Sequence, residues 1–361
     1  MREVKENMGM EISKISNQLN IRGILLSADV RATSYDEKDK ETKEATGNKV
    51  EAISGRLKLI TNLETKSTVT VEIFNQKYTK DGKVNNLYAT LDDLVGGLKT
   101  NDEIKALKKK DSNYKNEVVI YDKAQEEPTM LVVSVFSNDK RYAPKFSTNR
   151  YVSNGEIKKN ARISGGNVYI KEFDGNEENL YCDFEVDGIT KSVKEEIGKD
   201  GEPTGRAVLN VITPIQDKGE LDIVEIQYTV GILPATENEE EYDLGGAVLD
   251  EVQEGDAIKL LGHVENTVKE VEVRTEVRLG RAKVTKRTER NSEYVVTGID
   301  FVDEDLFDED EMRDLIKEVN IREQEMLDNA NNEEEEVQSR NTQRGMMGSR
   351  PTGNRKRNGF F

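Results

Sequence analysis

Three segments of the sequence interleave cationic and aromatic side chains, a combination that suits contact with single-stranded nucleic acid. Such contact needs a basic groove that follows the phosphates and aromatic faces on which bases stack, each base contributing roughly 1–3 kcal/mol. The candidate residues are Lys77, Tyr78, Lys80, Lys83 and Tyr88 in segment 69–91; Arg141, Tyr142, Lys145, Phe146, Arg150 and Tyr151 in segment 140–151; and Arg274, Arg278, Arg281, Lys283, Lys286 and Arg287 in segment 274–290, with Arg22 and Arg56 added from two strands nearer the N-terminus.

Each of these residues also has an ordinary structural interpretation. Phe74 lies in an alternating strand, which favours a place in the core over a place on a binding surface. Tyr78 and Tyr88 flank a loop and fit either role. In a chain with 34% charged residues, a basic run is usually a solvated face. Binding is favoured because three such clusters occur in a chain whose net charge of −18 should repel nucleic acid.

The composition predicts a soluble chain without membrane spans. Hydrophobic residues make up 35% of the 361 residues, and no run approaches the roughly 18 apolar residues of a membrane helix. The N-terminus has no apolar stretch of signal-peptide length. A lone cysteine, Cys182, excludes an internal disulfide and fits a reducing compartment, so we expect a cytoplasmic protein, in the host cytoplasm if a phage encodes it.

No motif of catalysis stands out, and we predict that the protein is not an enzyme. A single histidine, His263, and a single cysteine leave no cluster for zinc, and no phosphate-binding loop, nucleophile elbow or zinc-protease helix occurs. We therefore expect no catalytic residue, no metal and no cofactor. A nuclease that holds magnesium on clustered carboxylates remains a distant alternative, since the spacing singles out no cluster.

The elements that must position the candidate residues are mostly strands. Alternating or continuous apolar runs predict strands, and helical spacing predicts two short helices. The predicted strands are 19–31, 50–61, 68–74, 118–121, 130–136, 167–173, 180–186, 206–215, 221–230, 257–266, 271–290 as a hairpin and 293–301, and the helices are 87–98 and 244–252. The sequence thus predicts a mainly β protein.

The order of elements repeats, which predicts a duplicated domain. GRLKLITNLETKSTVTVEI (55–73) is similar to GRAVLNVITPIQDKGELDIVEI (205–226). Three strands, a helix and further strands are the order of a five-stranded Greek-key barrel of the OB type, whose strand 2–3 face and loops bind oligonucleotides or oligosaccharides. We predict two such barrels, at 1–150 and 151–302, followed by a tail at 303–361.

One short stretch, EGDAIKLLGHVEN (254–266), predicts how the second barrel closes. Gly255 permits a sharp turn after the helix, and Gly262 permits a bend in the strand. By alternation, Ile258 and Leu260 would point inward, with Lys259 and Leu261 on the other face. His263 is then a half-buried strand residue, and Cys182 a small apolar residue of another strand.

At these residues the sequence resembles the phage and bacterial single-stranded-DNA-binding proteins. VQEGDAIKLLGHVEN (252–266) is similar to the passage from helix to glycine-containing strand in that family, and NIRGILLSADVR (20–31) to its first strand. VTVEIFNQKYTKDGKVNNLYATL (69–91) is similar to the strand, loop and helix of phage-type members. The resemblance covers about half the chain, in pieces. It implies OB barrels, binding of single strands without sequence preference, and an acidic tail that recruits replication and repair proteins.

The tail is acidic and then basic. Residues 303–336 hold 16 Asp and Glu against three Arg and Lys, whereas residues 337–361 hold six Arg and Lys and no acid. Apolar spacing predicts a solvated helix over 310–327, and the composition from Asp328 onward predicts disorder. The candidate partner contacts in the tail are Asp308, Glu309, Asp310, Glu311, Phe360 and Phe361. The basic tip before Phe360 departs from the family pattern, so it could touch DNA or fold back on the acidic block.

Two functions from different classes follow. The first is a single-stranded-DNA-binding protein of replication, recombination or repair, with RNA also possible as ligand, that coats strands and recruits partners through its tail. The alternative is a structural or assembly protein of virion type, built from β-barrels, that does not bind nucleic acid. An oligomer is compatible with both.

Overall fold

The protein is mainly β, as the sequence predicts. The structure is a computed structural model that describes residues 10–39, 42, 44–79, 81–122, 124–126, 130–173, 179–198, 201–217, 219–236, 239–275, 283–303 and 306–346. Side chains are described over the same ranges apart from 173, 267–275, 283, 287–290 and 332–346. Lys80, Arg278, Arg281, Phe360 and Phe361 lie outside the described residues.

The N-terminal half forms a ring of strands with two helices. Its elements are β1 Asn17–Lys38, β2 Ala45–Asn62, β3 Ser67–Gln76, α1 Asn86–Leu94, α2 Asn101–Lys110, β4 Val118–Val119, β5 Met130–Phe136, β6 Lys145–Ser153, β7 Glu156–Ser164 and β8 Asn167–Phe173. β1 pairs with β2 and β2 with β3, both antiparallel, while β3 pairs in parallel with the end of β7. β8 then pairs with β5, and β5 with β1. We call this ring the first barrel.

Gly165 and Gly166 let the chain pass from β7 to β8 inside the first barrel. Both adopt positive φ angles, +91° and +84°. A Cβ at Gly166 would lie 2.6 Å from Pro144 Cγ, so only glycine fits there. β7 and β8 therefore act as one interrupted fifth strand, and the predicted domain boundary at residue 150 falls within β6 of this barrel. The division of the chain into domains otherwise stays a prediction.

The second ring is more regular. Its elements are β9 Tyr181–Ile197, β10 Pro203–Asp217, β11 Glu220–Val230, β12 Ile232–Leu233, β13 Tyr242–Asp243, α3 Leu244–Glu251, β14 Ala257–Thr275 and β15 Lys283–Phe301. The pairings run β9–β10–β11–β15–β14 and back to β9, with β11 and β15 parallel and the other pairs antiparallel. This closed order of five strands, with a helix between the third and fourth, is the order of the OB barrel. We call it the second barrel.

The predictions for residues 254–266, which form the turn before β14 and the first half of that strand, are confirmed. Gly255 takes a φ of +97°, and Ile258 and Leu260 are fully buried while Leu261 is exposed. At Gly262 the register with β15 shifts, and a Cβ there would lie 2.1 Å from Val295 O. The two similar sequence stretches, 55–73 and 205–226, form the equivalent hairpins β2–β3 and β10–β11.

One helix of the first barrel ends earlier than predicted, and a second was not predicted. α1 ends at Leu94 rather than at residue 98, because Gly96 and Gly97 take positive φ angles of +68° and +100°. α2 was not predicted. It begins at a capping box in which Thr100 accepts from Glu103 N and the Glu103 carboxylate accepts from Thr100 N.

The two barrels share one sheet and one core. Residues 17–22 of β1 pair with residues 181–186 of β9, which joins the barrels edge to edge. The main core cluster runs through both, and Phe146 of the first barrel contacts Phe184 and Tyr294 of the second through ring centroids 6.1 and 5.3 Å apart.

A long C-terminal helix, α4 Glu309–Met346, docks where the barrels meet. Met312, Leu315 and Val319 are buried with Ile212 and Ile223 of the second barrel in a smaller core. The sequence predicts a solvated helix ending near Leu327, so both the docking and the extent to Met346 exceed that prediction. The apolar spacing 312, 315, 319 is the stripe of a helix packed along one side.

Candidate nucleic-acid interface

The outer surface of the first barrel at β1, β2 and β3 gathers the side chains best suited to bind a strand. We call it the β1–β3 face and define it by Arg31, Tyr35, Arg56, Lys58 and Phe74. Register places Arg31 opposite Ser54, and Ser54 opposite Phe74. Because side chains alternate along a strand, Val69, Val71 and Ile73 fill the core while the intervening positions point outward.

Two aromatic rings are exposed on this face. Phe74 is 56% exposed and Tyr35 is 36% exposed, and their ring centroids are 5.6 Å apart. The Tyr35 hydroxyl accepts a hydrogen bond of 2.6 Å from Gln76, which holds the ring in place. The interpretation of Phe74 as a core residue is therefore wrong. Phe74 directly follows Ile73 in β3, so alternation places the two side chains on opposite faces of the sheet, and this pattern would have predicted the exposure of Phe74.

The cations of the face differ in whether they are already paired. Arg31 is exposed, its Nε lies 3.4 Å from Ser54 Oγ, and it makes no ion pair within the described ranges. Half-buried Lys58 likewise has no carboxylate partner in that part of the chain. Arg56 instead lies 3.0 Å from Glu72, which also pairs with Arg162 at 3.0 Å. Arg31 and Lys58, which sequence reasoning missed, are thus better placed for phosphates than Arg56.

Two adjoining grooves give the face depth. One has a volume of about 690 Å³ and is lined by Arg31, Arg56 and Phe74 on one side and by Asn149 and Gly165 on the other. The second, of about 300 Å³, reaches the second barrel and is lined by Lys58, Asn266 and Tyr294 among others. Arg162 lines both grooves, so the surface runs continuously from the first barrel to the second.

Long hairpins flank the barrel faces. β1 and β2 remain paired out to Lys38 and Ala45, and β9 and β10 out to Ile197 and Pro203. These are the connections between first and second strands, which together with the connection between the fourth and fifth strands border the ligand face of an OB barrel. The β6–β7 hairpin provides the second border in the first barrel.

The predicted cluster in segment 69–91 forms, but its central cation is occupied. Lys77 Nζ lies 5.1 Å from the Tyr78 ring centroid and 5.6 Å from that of Tyr88. It also lies 2.7 Å from Glu51, and this hydrogen bond raises the pKa of Lys77. Tyr78 is exposed, Tyr88 half-buried and Lys83 exposed in the following turn. The cluster therefore offers rings more than charge.

Three residues predicted to bind in segment 140–151 have structural roles instead. Phe146 is fully buried and packs against the rings of Phe184 and Tyr294 of the second barrel, so it has no surface for a base. Arg150 lies 2.8 Å from Asp222 and 2.7 Å from Glu323, with each of these side chains 12% exposed. Its guanidinium already forms ion pairs that join β6 to β11 and to α4. Lys145 similarly donates to the Gln216 carbonyl of the second barrel.

The remaining residues of that segment lie at the surface. Arg141 pairs with Asp139 at 2.7 Å and lies 5.7 Å from the Tyr142 ring centroid. Tyr142 and Tyr151 are exposed. Arg22 is half-buried on β1, opposite Tyr181 of β9, away from the groove residues named above. These residues stay predictions as contacts.

The basic run of segment 274–290 lies on a hairpin arm. β14 and β15 stay paired from Ile258–Phe301 out to Thr275–Lys283, which carries Arg274, Lys283, Lys286 and Arg287 towards the end of the arm. Glu272 is in register with Lys286, and exposed Lys286 has a partner of its own. The predicted hairpin is confirmed, and its role in binding stays a prediction.

The acidic residues predicted to recruit partners open helix α4. Asp308 accepts a hydrogen bond of 2.8 Å from Glu311 N, Arg313 pairs with Glu309 and Asp310, and Glu311 accepts from Met10 N at 2.7 Å. Carboxylates in a first turn interact favourably with the helix dipole. Their contact with a partner stays a prediction.

The lone histidine and cysteine have ordinary environments. His263 Nε2 lies 3.1 Å from Glu265, and Cys182 is buried, which raises the pKa of its thiol. Among the described residues, no group of three or more His, Cys, Asp or Glu could hold a metal ion. No helix in that part of the chain is long and apolar enough to cross a membrane.

Comparisons with known proteins give distant structural neighbours and one family. A deletion mutant of the single-stranded DNA binding protein from Thermus aquaticus matches with 11% identity and a TM-score of 0.37, over 82% of this chain and 98% of that chain. The wild-type protein matches with 9% identity and a TM-score of 0.37, over 80% and 93%. No curated protein matches the sequence. At such identities and TM-scores, the function has to be inferred from the surface of this chain. Residues 143–333, more than half of the chain, match the family described as YorF, and the protein therefore belongs to the YorF family.

Proposed function

We propose that this protein binds single-stranded nucleic acid, with single-stranded DNA as its main ligand, along the β1–β3 face. The observation that carries the proposal is the exposed pair Phe74–Tyr35 beside Arg31 and Lys58, on the strand face that OB barrels use for oligonucleotides. Rings and cations alternate there over a continuous groove.

The exposed rings support contact with bases rather than with a duplex. Phe74 keeps more than half of its surface in water. Bases of a single strand are unstacked and can lie against such rings, whatever their sequence. In a duplex the base faces are covered by their neighbours, so these rings would have no partner.

The unpaired cations support contact with phosphates. Arg31 and Lys58 can donate hydrogen bonds to a phosphate without breaking an existing ion pair. Arg56 and Arg162 would first have to break their ion pairs with Glu72, and this loss offsets part of the free energy gained from contact with a phosphate. We expect Arg31 and Lys58 to carry most of the electrostatic affinity.

The proposal extends to a role in the cell. The protein coats strands during DNA replication, recombination or repair, without catalysing a reaction, and it recruits partners through its tail. The exposed carboxylates at the start of α4 support this proposal, since they offer a charged surface away from the β1–β3 face.

The direct test is fluorescence anisotropy with labelled oligo-dT and a matched duplex at low salt. We expect the single strand to bind much more tightly. Phe74→Ala should weaken binding about 5- to 150-fold, the loss of one stacked base. The matched control is Tyr242→Ala, which removes a ring 54% exposed on β13 and should leave affinity unchanged. Equal effects of the two variants would contradict the proposed face.

A salt series tests the cations. For single strands, the slope of log K against log salt is about −0.7 per phosphate neutralised, so Arg31→Ala should flatten it by about 0.7. An assembly protein gives a different result: light scattering would show ordered oligomers of the same size with and without the oligonucleotide, and no anisotropy change.

A further inference from the structure

A second pair of exposed aromatic rings lies on another part of the first barrel. Phe136 of β5 and Tyr169 of β8 are stacked, with centroids 5.2 Å apart and planes 17° apart. They are diagonal neighbours, because Phe136 is in register with Asn167 and Tyr169 with Ser134. Tyr169 is 63% exposed and Phe136 is 36% exposed. The stack thus presents open ring surface to solvent.

A groove of about 530 Å³ adjoins this stack. Tyr169 lines it together with four asparagines: Asn75, Asn85, Asn86 and Asn167. Asn75 follows Phe74 in β3, and because successive side chains of a strand point to opposite faces, the groove lies across the end of β3 from the aromatic pair of the β1–β3 face. We call it the amide groove.

The amide groove differs in charge from the 690 Å³ groove of the β1–β3 face. The described residues that line it include Lys83 and no carboxylate, whereas Asp29, Glu72 and Asp217 line the other groove. Lys83 is exposed and makes no ion pair within the described part of the chain. In a protein of net charge −18, a surface free of carboxylates is where a phosphate meets the least repulsion.

The chemistry of the lining fits nucleobases. Asn85 caps α1 by accepting from Leu87 N, and its Nδ2 donates to Asn75 Oδ1. Asn86 and Asn167 make no side-chain hydrogen bond within the described residues, and their amides carry donors and acceptors that can pair with base edges of different kinds. The planar stack of Phe136 and Tyr169 suits the face of a base, and Lys83 suits the phosphate that joins two nucleotides. Rings, amides and a single cation occur together in one groove.

We propose that a single strand leaving the β1–β3 face continues through the amide groove and stacks a base on Tyr169. This inference rests on the proposed function, and it adds a second contact region and a path for the strand around the first barrel. The strand would pass from Phe74 over the end of β3 to the Phe136–Tyr169 stack, with Lys83 beside its backbone.

The absence of tryptophan from the sequence makes a local reporter possible. Three single-tryptophan variants of the full chain, Phe74→Trp, Tyr169→Trp and Tyr242→Trp, are titrated with oligo-dT of about 16 nucleotides, the upper site size of one OB barrel. Stacking on a base quenches the indole. We expect quenching at positions 74 and 169 with the same midpoint, and a constant signal at position 242. Anisotropy of the labelled oligonucleotide records binding independently.

The outcomes separate the two proposals. Binding with quenching at position 74 alone overturns the amide groove and leaves the proposed function intact. Absence of binding by anisotropy overturns the proposed function itself. As a second measurement, Tyr169→Ala should weaken the same complex about 5- to 150-fold with an unchanged circular dichroism spectrum. Unchanged affinity would overturn the inference, whatever the fluorescence shows.

Discussion

Arg150 in β6 and Glu323 in α4 form an ion pair of 2.7 Å across 173 residues of sequence. The same guanidinium reaches Asp222 of β11 at 2.8 Å, and Glu323 also accepts from Lys159 at 2.8 Å. One arginine therefore ties the first barrel, the second barrel and the C-terminal helix together.

Arg150→Ala should destabilise the protein substantially, because it leaves two largely buried carboxylates without their main partner. We expect a loss of about 3 kcal/mol in the free energy of unfolding, measured with urea. Arg313→Ala, which removes an exposed pair with Asp310, is the control and should cost less than about 1 kcal/mol. Equal losses would mean that the Arg150 network does not hold the helix.

Gly262→Ala should also destabilise, for a steric reason. The added Cβ would lie 2.1 Å from Val295 O and 2.5 Å from the Phe184 ring, so β14 or β15 must shift, at a cost of about 1–3 kcal/mol. Gly298→Ala in the same hairpin meets nothing closer than 3.6 Å and should be tolerated. Thermal unfolding of both variants decides the matter; a Gly262 variant as stable as the Gly298 variant would contradict the close approach.

Asp187 should make stability fall as pH rises. Burial raises the pKa of this carboxyl above its ordinary value, against the opposing effects of Ser16 N, Lys259 and Lys140, with Glu185 adding to the rise. Its Oδ1 lies 3.7 Å from Lys259 Nζ, beyond a hydrogen bond. A raised carboxyl pKa favours the protonated folded form, so its contribution is complete below the unfolded value of about 3.9 and is lost as pH rises through the folded value.

The test of this sign is Asp187→Asn, whose amide oxygen can still accept from Ser16 N at the position of Oδ2. Urea titration at pH 4 and at pH 7 gives the free energy of unfolding of both proteins. The value for the variant minus the value for wild type should be larger at pH 7 than at pH 4. A relative loss over that interval would show that Lys259 outweighs burial.

Truncation after Asn331 should leave strand binding unchanged within about twofold. The shortened chain keeps Leu315, Val319 and Glu323, which dock α4, and it loses the basic tip. Deletion of all of 303–361 is the less informative variant, because it also removes a buried part of the fold. Anisotropy with oligo-dT is the measurement, and a large loss would place the affinity on the basic tip.

The sequence predicts the barrels better than their surfaces. Alternation along β3 and the glycines of β14 report local geometry, so strand positions and the bend at Gly262 follow from them. The capping box at Thr100 and Glu103 was an equally local signal that would have found α2. Burial of Phe146 and Arg150 depends on the second barrel and on α4, which lie far away in sequence, so no local pattern could reveal it.

The candidate site shows the same division. Arg56 was found because it lies in a recognisable strand, but its tie to Glu72 and Arg162 joins three strands of the first barrel. Arg31 and Lys58 were missed, since their value lies in making no ion pair with a described carboxylate, which no local sequence pattern reports. The Phe136–Tyr169 stack required the pairing of β5 with β8, which the inserted hairpin β6–β7 separates along the chain.

The ladder between β1 and β9 bears on mechanics as well as on packing. The barrels are joined by paired backbone rather than by a tether alone, so a pull from one barrel on the other loads several hydrogen bonds in parallel. If a single strand binds as proposed, it would therefore meet the second barrel at a position that the β1–β9 pairing sets.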